Sequence, residues 1–81
     1  MLDSVIVGSV IKTFCEKRKL SQEVVSGFAD IGRSHLSAIE RGVRRPTLDT
    51  FCKISAALGV KPSVLLTAVE EALDSSADEQ A

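Results

Sequence analysis

Apolar positions recur with helical spacing from the start of the chain. Val7, Val10, Ile11, Phe14 and Cys15 stand at i, i+3, i+4, i+7 and i+8, the pattern of a helix that buries one face. This predicts a first helix over about Ser4–Lys17, closed by Lys17-Arg18-Lys19, whose charges suit the negative end of the helix macrodipole. Ser21 is placed as an N-cap, and Gln22-Glu23 opens a second helix running to about Ala29, with Val25, Phe28 and Ala29 as core candidates. Asp30-Ile31-Gly32 then interrupts the pattern with turn residues around one apolar plug.

A third helix is predicted from Arg33 to Arg41, stopped by Gly42, where a left-handed residue is cheap. At about 100° per residue, Leu36 and Ile39 point one way while Ser34, Ser37, Ala38 and Arg41 share the opposite face. Arg33, His35 and Glu40 fall on the flanks. A helix this short with two apolar anchors is unstable alone, so neighbours must hold it while its polar face stays open. Val43 to Pro46 form a basic loop, and Thr47 caps a fourth helix with an expected inner face of Leu48, Phe51, Ile54 and Leu58, stopped by Gly59. Pro62 starts a fifth helix to about Leu73, carrying more apolar surface than one face needs. No segment alternates with period two and no internal repeat is present, so the chain reads as an all-α, five-helix domain.

Length and charge narrow the picture. The chain has 81 residues, enough for one small domain (residues 1–74) and a short acidic tail (75–81) expected to be flexible. The core of such a domain is marginal, which makes oligomerisation an early expectation. Cys15, His35 and Cys52 match no zinc-ligand spacing, so no metal or cofactor is expected; both thiols read as small hydrophobes of the core. No run approaches the ~20 apolar residues that cross a bilayer, and the N-terminus lacks a basic signal-peptide region, so a cytoplasmic location without membrane contact is expected. The formal net charge is −1, but all ten Lys and Arg precede residue 62. Residues 1–69 carry ten basic against six acidic side chains, net +4, and residues 70–81 carry five acidic ones, net −5. A basic body of this kind suits a polyanionic partner.

Two short helices about a tight turn, the second polar outside and followed by arginines, are the elements of a helix-turn-helix. The run Ser21-Gln22-Glu23 through Ile31, then Arg33-Ser34-His35-Leu36-Ser37-Ala38-Ile39-Glu40-Arg41-Gly42, resembles the lambda repressor/Cro-like helix-turn-helix family. Arg45-Pro46-Thr47 and Ala57-Leu58-Gly59-Val60 continue the resemblance, which covers about residues 7–66, with the helix-turn-helix unit at about 21–41. It implies a compact five-helix DNA-binding domain and a transcriptional regulator, a repressor or controller, acting as a homodimer on a pseudo-palindromic operator in double-stranded DNA.

Residue by residue, the resemblance assigns base contacts to Arg33, Ser34, Ser37 and Ala38 and a phosphate contact to Gln22. Arg41, Arg44 and Arg45 fall where the family's loop follows the phosphate backbone. Within that set, Arg33 is the candidate bidentate partner for guanine, a contact that discriminates by about 1–3 kcal/mol. Ser34 and Ser37 are less selective, and Ala38 offers a methyl to thymine or simply permits close approach. Phosphate contacts give affinity and register without direct sequence information. His35 is a candidate flank contact or a partly exposed neutral side chain.

The chain also departs from the family pattern. Asp30 stands where Gly is frequent in the turn, and Gly32 where Ser or Thr caps the recognition helix. Cys15 occupies a position where many relatives carry an arginine paired with the glutamate matching Glu40. Glu40 is therefore expected to find Arg18, Arg44 or backbone amides, or to stay partly solvated. No nucleophile, paired-carboxylate or phosphate-loop constellation is present, and the chain reads as non-enzymatic. A homodimer through the fifth helix is expected, using Val64, Leu65, Val69, Ala72 and Leu73. The alternative is a protein-interaction module, antitoxin-like, whose outer helix face docks a protein partner. The acidic segment Glu70–Glu79 favours that alternative, and Arg33, Arg44 and Arg45 favour DNA.

Overall fold

The computed structural model describes the backbone of residues 2–80 and the side chains of residues 2–75. Five helices follow one another, α1 (Ser4–Lys17), α2 (Gln22–Ala29), α3 (Arg33–Glu40), α4 (Leu48–Ala57) and α5 (Pro62–Gln80), with no strand among the described residues. Three starts are capped by side chains: Asp3 accepts from the Val5 and Ile6 amides, Ser21 from Val24 and Thr47 from Thr50. Gly32 caps α3 without a side-chain bond.

The ends of the first four helices share one device. After each, a residue in the left-handed region lets two amides turn back onto the last carbonyls, the Schellman arrangement. At α3 the Gly42 amide donates to Ile39 and the Val43 amide to Ala38; at α4 the Gly59 and Val60 amides do the same to Ala56 and Ser55. The equivalent positions after α1 and α2 are held by Lys19 (φ 56°) and Asp30 (φ 57°).

The core is built from one stripe of each helix. Ile11, Val25, Leu36, Ile39, Ile54, Leu58, Leu65 and Val69 are buried, with Val7, Cys15, Ala29 and Phe51 completing the cluster. α1 rests on α3 and α5, α2 on α3 and α4, and α4 on α5. α3, with only Leu36 and Ile39 as apolar anchors, is thus gripped from both sides by α1 and α2.

Several expectations need correction. Phe28 is 74% exposed and Leu48 80% exposed, so neither belongs to the core. Phe28 lies near the end of α2 and Leu48 is the first residue of α4, and neither is covered by a neighbouring element. Leu65 and Val69 are fully buried in the chain's own core and are not free to form a dimer surface. Leu73 packs partly against that core, which leaves Val64 and Ala72 as the outward members of the expected set. α5 continues to Gln80 instead of ending near Leu73, because nothing between Ser75 and Gln80 breaks a helix. Of residues 75–81, expected to be flexible, the backbone is helical as far as Gln80, and the side chains past Ser75 lie outside the described residues.

Candidate nucleic-acid interface

The expected recognition face is open. Arg33 and Ser34 are exposed, and Ser37, Ala38 and His35 are half-buried along α3. Leu36 and Ile39 on the opposite side are fully buried, so the polar face cannot rotate inward without losing both anchors. Arg41, Arg44 and Arg45 are exposed directly after the helix. Among the described residues the recorded ion pair joins Lys53 to Asp49 at 3.4 Å, so these four guanidinium groups are uncommitted.

The backbone fixes where the arginines emerge. Gly42 (φ 79°) reverses the chain, and the Val43 and Arg44 amides both donate to the Ala38 carbonyl, at 2.9 and 3.2 Å. Ser4 Oγ at the start of α1 donates to the Gly42 carbonyl at 3.0 Å. The loop that carries Arg44 and Arg45 is therefore pinned to α1 and to the end of α3.

Gln22 and Glu40 form a contact that sequence reasoning missed. Gln22 Nε2 donates to Glu40 Oε1 at 2.6 Å, joining the first turn of α2 to the last turn of α3. Glu40 is buried and the Cys15 thiol faces the same carboxylate. The expected partners, Arg18, Arg44 or backbone amides, are thus replaced by the neutral Gln22 amide. No sequence signal pointed to this, since the two residues are 18 apart on different helices. Burial first, and the neighbouring Glu40 carboxylate second, push the Cys15 thiol up from 9.0 to about 12.

Two short helices at a tight turn, with a polar outer helix bordered by free arginines, define a helix-turn-helix of the nucleic-acid-binding class. The chain belongs to the helix-turn-helix family, which matches residues 11–65. It is 48% identical over 50 residues to control protein C.BamHI of Bacillus amyloliquefaciens, a match spanning 62% of this chain and 62% of that protein, under two thirds of its length. It is also similar to the restriction-modification controller protein C.AhdI from Aeromonas hydrophila, with TM-score 0.75 and 29% identity over 80% of this chain and 98% of that one. The C.Esp1396I controller tetramer, solved in complex with its natural 35 base-pair operator, shares the fold with TM-score 0.81 and 24% identity, covering 89% of this chain and 95% of that one.

Among the described residues no group of His, Cys, Asp and Glu has the arrangement of a metal site. No single helix among the described residues is long and apolar enough to cross a membrane.

Proposed function

We propose that the chain is a sequence-specific DNA-binding transcriptional regulator of the controller and repressor class, acting as a homodimer on a pseudo-palindromic operator. The observation that carries this reading is the outer face of α3, polar and small, flanked by Arg33 and followed by Arg41, Arg44 and Arg45, none of them paired with a carboxylate among the described residues. Arg33, Ser34, Ser37 and Ala38 read base edges in the major groove. Arg41, Arg44 and Arg45 neutralise phosphates, and His35 lies at the edge of that contact. The controllers of known structure and sequence similarity support the role.

The test is selection of duplexes from a random library, followed by fluorescence anisotropy against salt for the parent and an Arg33→Ala variant. The expected result is an enriched two-fold-related sequence and binding that weakens steeply with salt. Arg33→Ala should lose about 1–3 kcal/mol at one base position. A library that yields no enriched sequence would overturn the reading.

One observation favours a protein partner instead. Phe28 and Val24, one turn apart on α2, are 74% and 53% exposed and form an apolar patch that DNA does not need. An unenriched library would move the assignment to that surface.

A further inference from the structure

We propose that Glu40 is a positioning residue for DNA binding: it locks the Gln22 side-chain amide so that the free N–H of Nε2 faces a backbone phosphate. The inference rests on the DNA-binding reading above and assigns a role to the one buried carboxylate of the domain's described residues.

A glutamine amide has two faces that a phosphate tells apart. Its NH2 donates to an anion, while its carbonyl oxygen repels one, and rotation by half a turn about the last torsion exchanges them. An ionised carboxylate only accepts, so the 2.6 Å contact with Glu40 Oε1 requires the NH2 of Gln22 on that side. One N–H is used by Glu40; the second remains, and Gln22 is half-buried. Gln22 is the first residue of α2, where amide N–H groups and the helix dipole already favour an anion. Its partner Glu40 sits next to Arg41 and four residues before Arg44, so the contact places the Gln22 amide beside the phosphate-facing loop.

Glu40 itself is held by its helix, which is pinned at Leu36 and Ile39, and the Cys15 thiol of α1 neighbours it. The Gln22–Glu40 bond therefore joins α2 to α3, and the carboxylate orients the half-buried Gln22 amide. Without Glu40 the Gln22 amide would rotate freely and present its oxygen to phosphate as readily as its NH2.

The experiment is a methylphosphonate scan of the selected duplex, in which single phosphates are neutralised and binding is measured for the parent, Gln22→Ala and Glu40→Met. In the parent, one neutralised phosphate per half-site is expected to weaken binding about tenfold. That penalty should vanish in Gln22→Ala and fall at least threefold in Glu40→Met, while the penalties at phosphates contacted by Arg44 and Arg45 stay as in the parent. A full penalty in Glu40→Met, or no phosphate whose penalty depends on Gln22, would overturn the proposal even if specific binding is intact. A duplex library without an enriched sequence would overturn the DNA-binding reading and this proposal with it. If Glu40→Met fails to fold, the Gln22 side-chain amide resonances of the parent decide. One Nε2 proton shifted downfield and protected from exchange is expected, and two equivalent, freely exchanging protons would refute the lock.

Discussion

Gly8 of α1 and Ile39 of α3 meet backbone to backbone. A Cβ on Gly8 would stand against the Ile39 carbonyl oxygen and 2.7 Å from that of Glu40. One turn earlier on α1, Ser4 bonds the Gly42 carbonyl, and Val5 lies against Gly42 itself. The first helix is thus the bed on which the end of α3 and the arginine loop rest.

Gly8→Ala is expected to destabilise the domain by about 1–3 kcal/mol, because the atoms opposing the new methyl are backbone and no rotamer relieves them. Urea denaturation measures the loss, and operator affinity should fall with it as α3 is displaced. Gly27→Ala is the control: nothing lies within 4 Å of its Cβ position in α2. There a gain of about 0.5–1 kcal/mol is expected from helix propensity. Equal midpoints for the two variants would refute the close approach.

The helices and the open polar face of α3 were readable in the sequence because apolar spacing and capping residues are local signals. The limits of α1 and α2, the Ser21 and Thr47 caps and the polar face of α3 all follow from such signals. What stayed hidden depends on packing between elements. Phe28 and Leu48 are apolar residues at helical spacing, and only the arrangement of neighbours shows that neither is covered. Leu65 and Val69 look the same in sequence as Val64, yet they alone are consumed by the core. The partner of Glu40 was equally hidden, since charge rules favour arginine over the amide that is in fact within reach.

Lys19 and Asp30 occupy left-handed positions that Gly42 and Gly59 fill after α3 and α4. A lysine pays for that conformation with a clash of its Cβ, about 1–2 kcal/mol, whereas aspartate has local hydrogen bonds that lower the cost. Lys19→Gly is therefore expected to raise stability by about 0.5–1 kcal/mol after the extra chain entropy of glycine is subtracted. Asp30→Gly should change it less. Thermal melts of the two variants give the comparison, and a loss of stability in Lys19→Gly would contradict the backbone assignment.

Cys15 and Cys52 should separate cleanly by reactivity. The Cys15 thiol is buried and pushed up to about 12, so its thiolate is nearly absent at neutral pH, while Cys52 is half-exposed. Alkylation of the native protein at pH 8 is expected to modify Cys52 and spare Cys15, with both modified after unfolding; mass spectrometry reads the count. The same shift has a stability consequence. In the unfolded chain the thiol loses its proton near the ordinary 9.0, whereas the folded state holds it to about 12. Above pH 9 the unfolded state binds fewer protons, so this contribution is intact below pH 9 and is lost as pH rises toward 12. Cys15→Ala should flatten the alkaline part of the stability profile; an unchanged slope would show that the thiol is not the group responsible.

The core leaves uncovered a groove that suits a second copy of the chain. Leu2, Pro46, Leu48, Phe51 and Leu66 line a groove of about 400 Å³ between the start of α1, the start of α4 and the outer side of α5. Leu48 and Leu66 are 80% and 38% exposed there, and Arg45 lines it too, so a second copy seated on this groove would adjoin the arginine loop. Fully burying a leucine contributes about 1.5–3 kcal/mol, and a carboxylate in its place opposes association in both copies. Leu48→Glu is therefore expected to weaken self-association at least about tenfold and to lower operator affinity while leaving the helical circular dichroism intact. Sedimentation equilibrium measures the first and anisotropy the second. Leu65→Glu distinguishes surface from core: that side chain is fully buried, so its variant should lose the fold itself. A Leu48→Glu protein that keeps the parent's dimer mass would move the interface to Val64 and Ala72, the outward residues of α5.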